Sequence, residues 1–203
     1  MKIKRTIRII PGCMICLMLI ITASTLNAQG SKISMVPFGG LIFGQHSIDE
    51  VIEGGNIGSG LGIHGGVNIQ YSNFWISVTY LQTSHLYRIQ HEKVTMKFSN
   101  IIFGAGIDLV NRKPVTPYIQ VIFALPSLQD KELDGFKGGK SLGLGAGVKF
   151  NVFKRGLIGL SGLYGLNKYS NFEVKEVPSI NSNNVKGNYF IILGNIGIKI
   201  NLQ

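Results

Sequence analysis

The last fifteen residues of the chain, Tyr189 to Gln203, read YFIILGNIGIKINLQ. From Phe190 the even positions are Phe190, Ile192, Gly194, Ile196, Ile198, Ile200 and Leu202. The odd positions from Asn195 are Asn195, Gly197, Lys199, Asn201 and Gln203, all small or polar. A period of two over this length predicts a strand with one apolar and one polar face. Strands in soluble sheets usually run about 5–6 residues. This one is long enough to cross a bilayer at a tilt, which takes roughly 9–11.

The same pattern recurs upstream. Ile57 to Tyr71 sets Leu61, Ile63, Val67, Ile69 and Tyr71 against Gly62, His64, Gly66, Asn68 and Gln70. After a tight Ser72-Asn73 turn, Phe74 to about Tyr87 sets Phe74, Ile76, Val78 and Tyr80 against Trp75, Ser77 and Thr79. Gly138 to Val152 alternates Leu142, Leu144, Ala146, Val148, Phe150 and Val152 with Ser141, Gly143, Gly145, Gly147, Lys149 and Asn151. Val115 to Leu125 and Leu157 to Lys168 complete two further strands. Two segments are less regular. In Ile33 to Phe43 the phase is ambiguous, and Pro37 lacks a donor, so a bulge or an unpaired position is expected there. In about Val94 to Val110, Met96 and Phe98 are out of phase with Ile101, Phe103, Ala105, Ile107 and Leu109, which predicts a bulge near Asn100.

Eight strands result. Short turns follow the second, fourth and sixth. The other connections are longer on average, although the one after the third is brief; the longest are Gly44–Asn56 and Tyr169–Gly187. Bacterial barrels have short periplasmic turns and longer outer loops. The expected fold is therefore all-β, an eight-stranded antiparallel transmembrane β-barrel in the outer membrane, with both termini periplasmic. A soluble barrel or sandwich is the rival, because alternation alone does not tell inside from outside. Strand length and a polar face rich in glycine favour lipid outside.

The N-terminus supports export. Lys2, Lys4, Arg5 and Arg8 precede the apolar run Cys13 to Ala23, and Leu26-Asn27-Ala28 offers a cut before Gln29. Residues 1–28 read as a signal peptide and 29–203 as the barrel domain. The run is short for a membrane-spanning helix, so an uncleaved anchor is the lesser reading. Both cysteines lie in this segment, so the mature chain has no thiol for a disulfide or a metal. The whole chain carries 20 basic and 10 acidic residues. Losing the signal removes four basic residues and no acidic ones, and +10 becomes +6. With no basic stripe interleaved with aromatics, nucleic-acid binding is not expected.

With its glycine-rich strands, such as Ser141-Leu142-Gly143-Leu144-Gly145-Ala146-Gly147-Val148-Lys149-Phe150, and its closing strand, the mature chain resembles the small outer-membrane β-barrel proteins. The resemblance is to the PorT-like or porin-family type common in Bacteroidetes. It implies residence among outer-membrane lipids and insertion by the barrel-assembly machinery. It fixes no activity and no extracellular partner. Such barrels often end in an aromatic residue, whereas this chain ends Asn201-Leu202-Gln203.

Candidate chemistry is sparse. Gly60-Leu61-Gly62-Ile63-His64-Gly65 matches a dinucleotide fingerprint but lies inside a strand, with no helix to follow. Gly139-Lys140-Ser141 lacks a glycine at the spacing of a phosphate loop. No cofactor or metal is expected. The inward face is more telling: Asp108, Lys149 and Lys199 fall near the periplasmic ends of their strands, with Gln70, Asn151 and Asn201 at similar depth. Charges inside a narrow barrel must pair, so Asp108 is expected to bridge Lys149, Lys199 or both. His64 points inward and could meet Ser77; His46, His85 and His91 read as solvated. Tyr71, Phe74, Trp75, Tyr87, Phe150, Phe153, Tyr169 and Tyr189 fit interface girdles. The leading expectation is a non-enzymatic barrel, structural or interacting through its outer loops. A narrow pore for small solutes or hydrophobic molecules and a lipid-modifying enzyme are the alternatives.

Overall fold

The structure, a computed structural model, describes residues 33–48, 57–89, 92–110, 114–129, 138–152, 155–169 and 185–202. The expected signal segment, His91 and Phe153 lie outside the described residues. Eight long strands follow one another: β1 (Ile33–Ile48), β2 (Ile57–Tyr71), β3 (Phe74–Ile89), β4 (Glu92–Asp108), β5 (Val115–Gln129), β6 (Gly139–Asn151), β7 (Gly156–Tyr169) and β8 (Val185–Ile198). A two-residue strand, β9 (Ile200–Asn201), continues the line of β8. Each long strand pairs antiparallel with the next, and β1 also pairs with β8 and β9, so the sheet closes.

The register fixes the barrel's shape. Crossing the ladders from Phe38 through Gly66, Thr79, Ile102, Ala124, Ser141, Asn167 and Gly187 returns to β1 at Ile48, ten residues higher. With strands about 4.8 Å apart and about 3.3 Å per residue, that stagger sets a tilt of roughly 40°.

Outside and inside are now distinguishable. Leu41, Leu61, Ile63, Leu142, Leu144 and Ile196 are 65–72% exposed, in a belt of large apolar side chains that runs round the outer wall. So much apolar surface is incompatible with water and suits lipid. The inward positions alternate with it. Leu81, Ala124, Leu128 and His46 are fully buried, and Phe98, Ile48, Tyr169 and Tyr189 are nearly so.

The glycines explain how a narrow barrel holds large rings. Trp75 lies directly across from Gly106, Tyr118 from Gly147 and Tyr189 from Gly165. A Cβ on any of these glycines would run into the facing ring, 2.6 Å from Trp75 Cε2 in the first case and 2.7 Å from Tyr118 Cζ in the second. The absence of a side chain on one strand makes room for the ring on its neighbour.

Two local expectations change, and the one at Pro37 resolves to an unpaired position. No bulge occurs at Asn100, because the registers of β4 with β3 and β5 run unbroken past it. Met96 and Phe98 are out of phase with the lipid face because they point into the barrel, where both are buried. β1 is likewise continuous; the register puts Pro37 opposite Ile198, and its missing donor leaves that position out of the ladder between β8 and β9. The strands also extend beyond the expected loops. Gly44–Ile48 belong to β1, Tyr169 closes β7, and β8 begins at Val185.

Candidate functional site

The barrel interior has two levels. The periplasmic level is polar and is built on the β2–β3 hairpin. Ser72 takes a φ of 55°, the left-handed conformation that a two-residue hairpin demands. The Asn73 carbonyl accepts from the backbone N–H of Asp108 at 2.8 Å, which anchors the end of β4 against the turn. Asp108 is 2% exposed. Its Oδ1 accepts from Lys149 Nζ at 2.7 Å and from Trp75 Nε1 at 3.0 Å, and its Oδ2 from Gln70 Nε2 at 2.9 Å. Gln70 Nε2 also reaches the Ser72 carbonyl at 3.1 Å. Lys149 Nζ sits 4.7 Å from the Trp75 ring centre and 4.9 Å from that of Tyr118. The ammonium thus has a carboxylate and two π faces, the compensation that a charge held away from bulk water requires.

Above this cluster lies a cavity of about 60 Å³ whose walls include His64, Asn68, Ser77, Gln120 and Asn195. A water needs roughly 10–15 Å³ measured this way, so the space suits a few waters. His64 Nε2 donates to the Gly194 carbonyl at 3.2 Å, and its ring lies 5.9 Å from Phe38. Ser77 is not its neighbour: the register sets Asn68 opposite Ser77. Ile102, Leu163 and Leu193 roof the cavity.

The extracellular level is a packed plug. Ile42, Ile48, Leu81, Phe98, Ile122, Leu128, Tyr169, Tyr189 and Ile191 belong to one buried cluster. Two histidines are enclosed in it. His46 Nε2 lies 2.6 Å from the Tyr169 hydroxyl and 3.2 Å from Asn167 Nδ2, and Asn167 Nδ2 donates to the same hydroxyl at 2.9 Å. His85 Nδ1 donates to the Gly58 carbonyl at 3.1 Å, which leaves Nε2 to accept from Thr83 Oγ1 at 2.5 Å. The two imidazoles pack edge to face at 6.0 Å, and His46 also stacks on Phe98 at 4.8 Å.

Of the residues picked from the sequence, Asp108, Lys149 and Gln70 meet in one cluster, and His64 lines the cavity above it. Asn151 and Asn201 do not join: both are exposed, because their strands have run past the filled section to the open rim. Among the described residues Asp108 has one ion-pair partner, Lys149. Lys199, on the far wall, is half-exposed and is not a partner. Trp75 and Tyr118 belong to the cluster and were missed; the inward phase of Trp75 and its glycine partner were the available signals. Trp75, Tyr169 and Tyr189 are not girdle residues, since all three are buried inside. His46 and His85 are likewise buried rather than solvated.

Comparison with known proteins agrees with the architecture. Neisserial surface protein A is similar in structure, with a TM-score of 0.59, 16% identity, and coverage of 85% of this chain and 100% of that one. Ail, the attachment invasion locus protein of Yersinia pestis, in complex with the heparin analogue sucrose octasulfate, gives a TM-score of 0.51 at 14% identity, covering 83% of this chain and 99% of that one. No family model matches the chain, and no curated protein does.

These findings define the class. The protein is an all-β, closed, eight-stranded antiparallel barrel of the outer-membrane type. A closed sheet with an apolar outer wall satisfies every backbone group internally and can sit in hydrocarbon, which an open sheet cannot. Its apolar outer wall suits it to a membrane, the setting of the outer-membrane barrels whose fold it shares.

Proposed function

We propose that this is a non-enzymatic barrel that acts through what it presents outside the membrane, by way of the connections between β1 and β2 and between β7 and β8. The observation that carries this reading is the plug. A route through the barrel would have to pass Phe98, Tyr169, Tyr189, Leu81 and Leu128, each at most 1% exposed and tightly packed. Such a layer withholds the interior from solutes and leaves the outer surfaces to meet partners. The name of one structural neighbour, an attachment invasion locus protein, and its complex with a heparin analogue support looking outward for a ligand. Insertion by the barrel-assembly machinery belongs to the same reading.

The pore reading draws on the polar cavity, but that space ends under the apolar roof. The lipid-modifying reading would need a histidine beside a nucleophile and an orienting acid. The partners described for His46, His64 and His85 are amide, carbonyl, hydroxyl and ring groups, which hold the imidazoles in place.

The experiment is conductance of the full barrel in planar bilayers, paired with binding assays on variants whose 49–56 and 170–184 connections are shortened. The expected result is a silent bilayer and loss of surface binding with the shortened connections. Stable unitary conductance, or binding that survives both deletions, would overturn the proposal.

A further inference from the structure

Three lysines stand side by side on the outer wall. The register pairs Lys140 of β6 directly with Lys168 of β7, and Lys168 directly with Lys186 of β8. All three are exposed. Their inward-pointing neighbours Ser141, Asn167, Tyr169, Val185 and Gly187 are buried, so the lysines point outward. Among the described residues none of the three makes an ion pair.

Such a row is unfavourable by itself. Like charges directly opposite one another across a ladder destabilise a sheet. Here two such pairs share the central Lys168. A sheet that tolerates this arrangement with no carboxylate paired to it among the described residues is suited to an external anion.

The position of the row says which anion. One outward step below lie Leu142 and Leu166, directly paired, and one step further lie Leu144, Tyr164 and Phe190 in a single row across the same three strands. These side chains belong to the lipid-facing belt. The lysines therefore sit at its extracellular edge, where hydrocarbon gives way to headgroups. Lysine stems lie along apolar surface while the ammonium reaches the polar zone. The outer two lysines are about 10 Å apart across two strand spacings, so all three ammonium groups can converge on one phosphate or share two.

We infer that Lys140, Lys168 and Lys186 form a binding site for the phosphorylated headgroup of an outer-leaflet lipid, whose acyl chains lie on the Leu142–Leu166 and Leu144–Tyr164–Phe190 wall. This requires that the barrel span a membrane. It does not require the interior to be plugged or the loops to bind a partner, so it stands or falls separately from the proposed function.

The test uses the full barrel in phosphatidylcholine nanodiscs doped with lipopolysaccharide that carries phosphorylated lipid A, or with the same material after dephosphorylation. Lipid retention is read by native mass spectrometry. Each lysine near an anionic surface is worth about fivefold, so three together favour the phosphorylated lipid on the order of 100-fold. The triple variant Lys140→Gln, Lys168→Gln, Lys186→Gln is expected to lose that preference, the triple arginine variant to keep it, and Lys97→Gln on β4 to leave it unchanged. Stability supplies a second reading with a sign reversal. In neutral detergent the triple glutamine variant should melt no lower than the parent, because repulsion is relieved; in bilayers with phosphorylated lipid it should melt lower. Equal retention of the two lipids, or the same order of melting in both media, would overturn the site. Equally tight binding of a sulfated heparin fragment in lipid-free detergent, lost with the same three lysines, would overturn the lipid assignment.

Discussion

Lys149 reaches past a whole strand to pair with Asp108. The two residues stand on β6 and β4, and on β5 between them Thr116 faces Lys149 while Tyr118 faces Asp108. The 2.7 Å contact therefore forms over the intervening strand, with the Tyr118 ring 4.9 Å from the ammonium. The pair staples three strands at the level where the β2–β3 and β4–β5 turns close the barrel.

Breaking the pair from one side should be costly. Asp108→Asn keeps the shape and can still accept from Trp75, but it leaves the Lys149 charge without its counterion. Removing one partner of a buried pair costs about 3–5 kcal/mol. The lower end is expected here, since the Lys149 side chain retains 12% exposure and opens on the polar cavity. The double variant Asp108→Leu, Lys149→Met should recover most of that loss. It should not recover all of it, because Trp75 Nε1 and Gln70 lose an acceptor. Urea unfolding of the barrel in lipid vesicles measures both; a double variant as unstable as the single one would show that the pair is not what the site depends on.

Gly106 should be irreplaceable for a different reason. Its absent side chain makes room for the Trp75 ring, so Gly106→Ala forces the indole off its place. Overpacking of this kind costs about 1–3 kcal/mol. Trp75 is the only tryptophan in the chain, so its fluorescence reports the displacement directly. The expected outcome is a red-shifted emission as the ring loses its buried seat and its bond to Asp108. Gly162→Ala is the control, since its nearest neighbour is the Phe190 ring at 3.7 Å, an ordinary contact. A shift of equal size in both variants would count against the packing argument.

Much of this was legible in the chain, and the part that was not has a physical cause. Alternation located all eight strands, and for β2 both ends, because one face meets lipid and the other does not. The Asp108–Lys149 pair was readable because few charges occupy inward positions, and two of opposite sign at one depth must meet. The upper interior was hidden by the same rule that exposed the strands. Met96, Phe98 and Ile102 are apolar and face inward, so a pattern that sends every apolar residue to lipid turns them into a bulge. Tyr169 and Tyr189 were hidden because an aromatic residue near a strand end suits a membrane girdle and a barrel plug equally. Only the glycines across from them, Gly139 and Gly165, favour the plug, and those pairings require the register.

The enclosed histidines should act as structure. His46→Leu preserves bulk but removes the ring nitrogen that meets Tyr169 and Asn167. Those groups are left buried with fewer partners, at about 1–3 kcal/mol for each unsatisfied group. Leu also loses the stacking on Phe98. A midpoint shift in urea of that order is expected, with lipid composition in cells unchanged. Altered lipid acylation in His46→Leu cells, at normal protein levels, would instead favour an enzyme.

The strongest contrast should lie between the middle of the wall and its rim. Phe103 lies within the apolar stretch on the outward face of β4, with Ile101 toward the extracellular end and Ala105 and Ile107 toward the periplasmic end. It is 44% exposed to the medium that surrounds the barrel. If that medium is hydrocarbon, Phe103→Arg places a charge near the bilayer midplane and costs about 2–4 kcal/mol. Asn201→Arg places the same charge at the periplasmic rim, where headgroups and water accept it, and costs about 0–1 kcal/mol. In a water-soluble barrel the order would not hold, because an exposed arginine costs little wherever it stands. Measuring both variants by urea unfolding from vesicles therefore tests the assignment of outside to lipid: equal stabilities would remove it, and a gap of about 2 kcal/mol or more is the expected result.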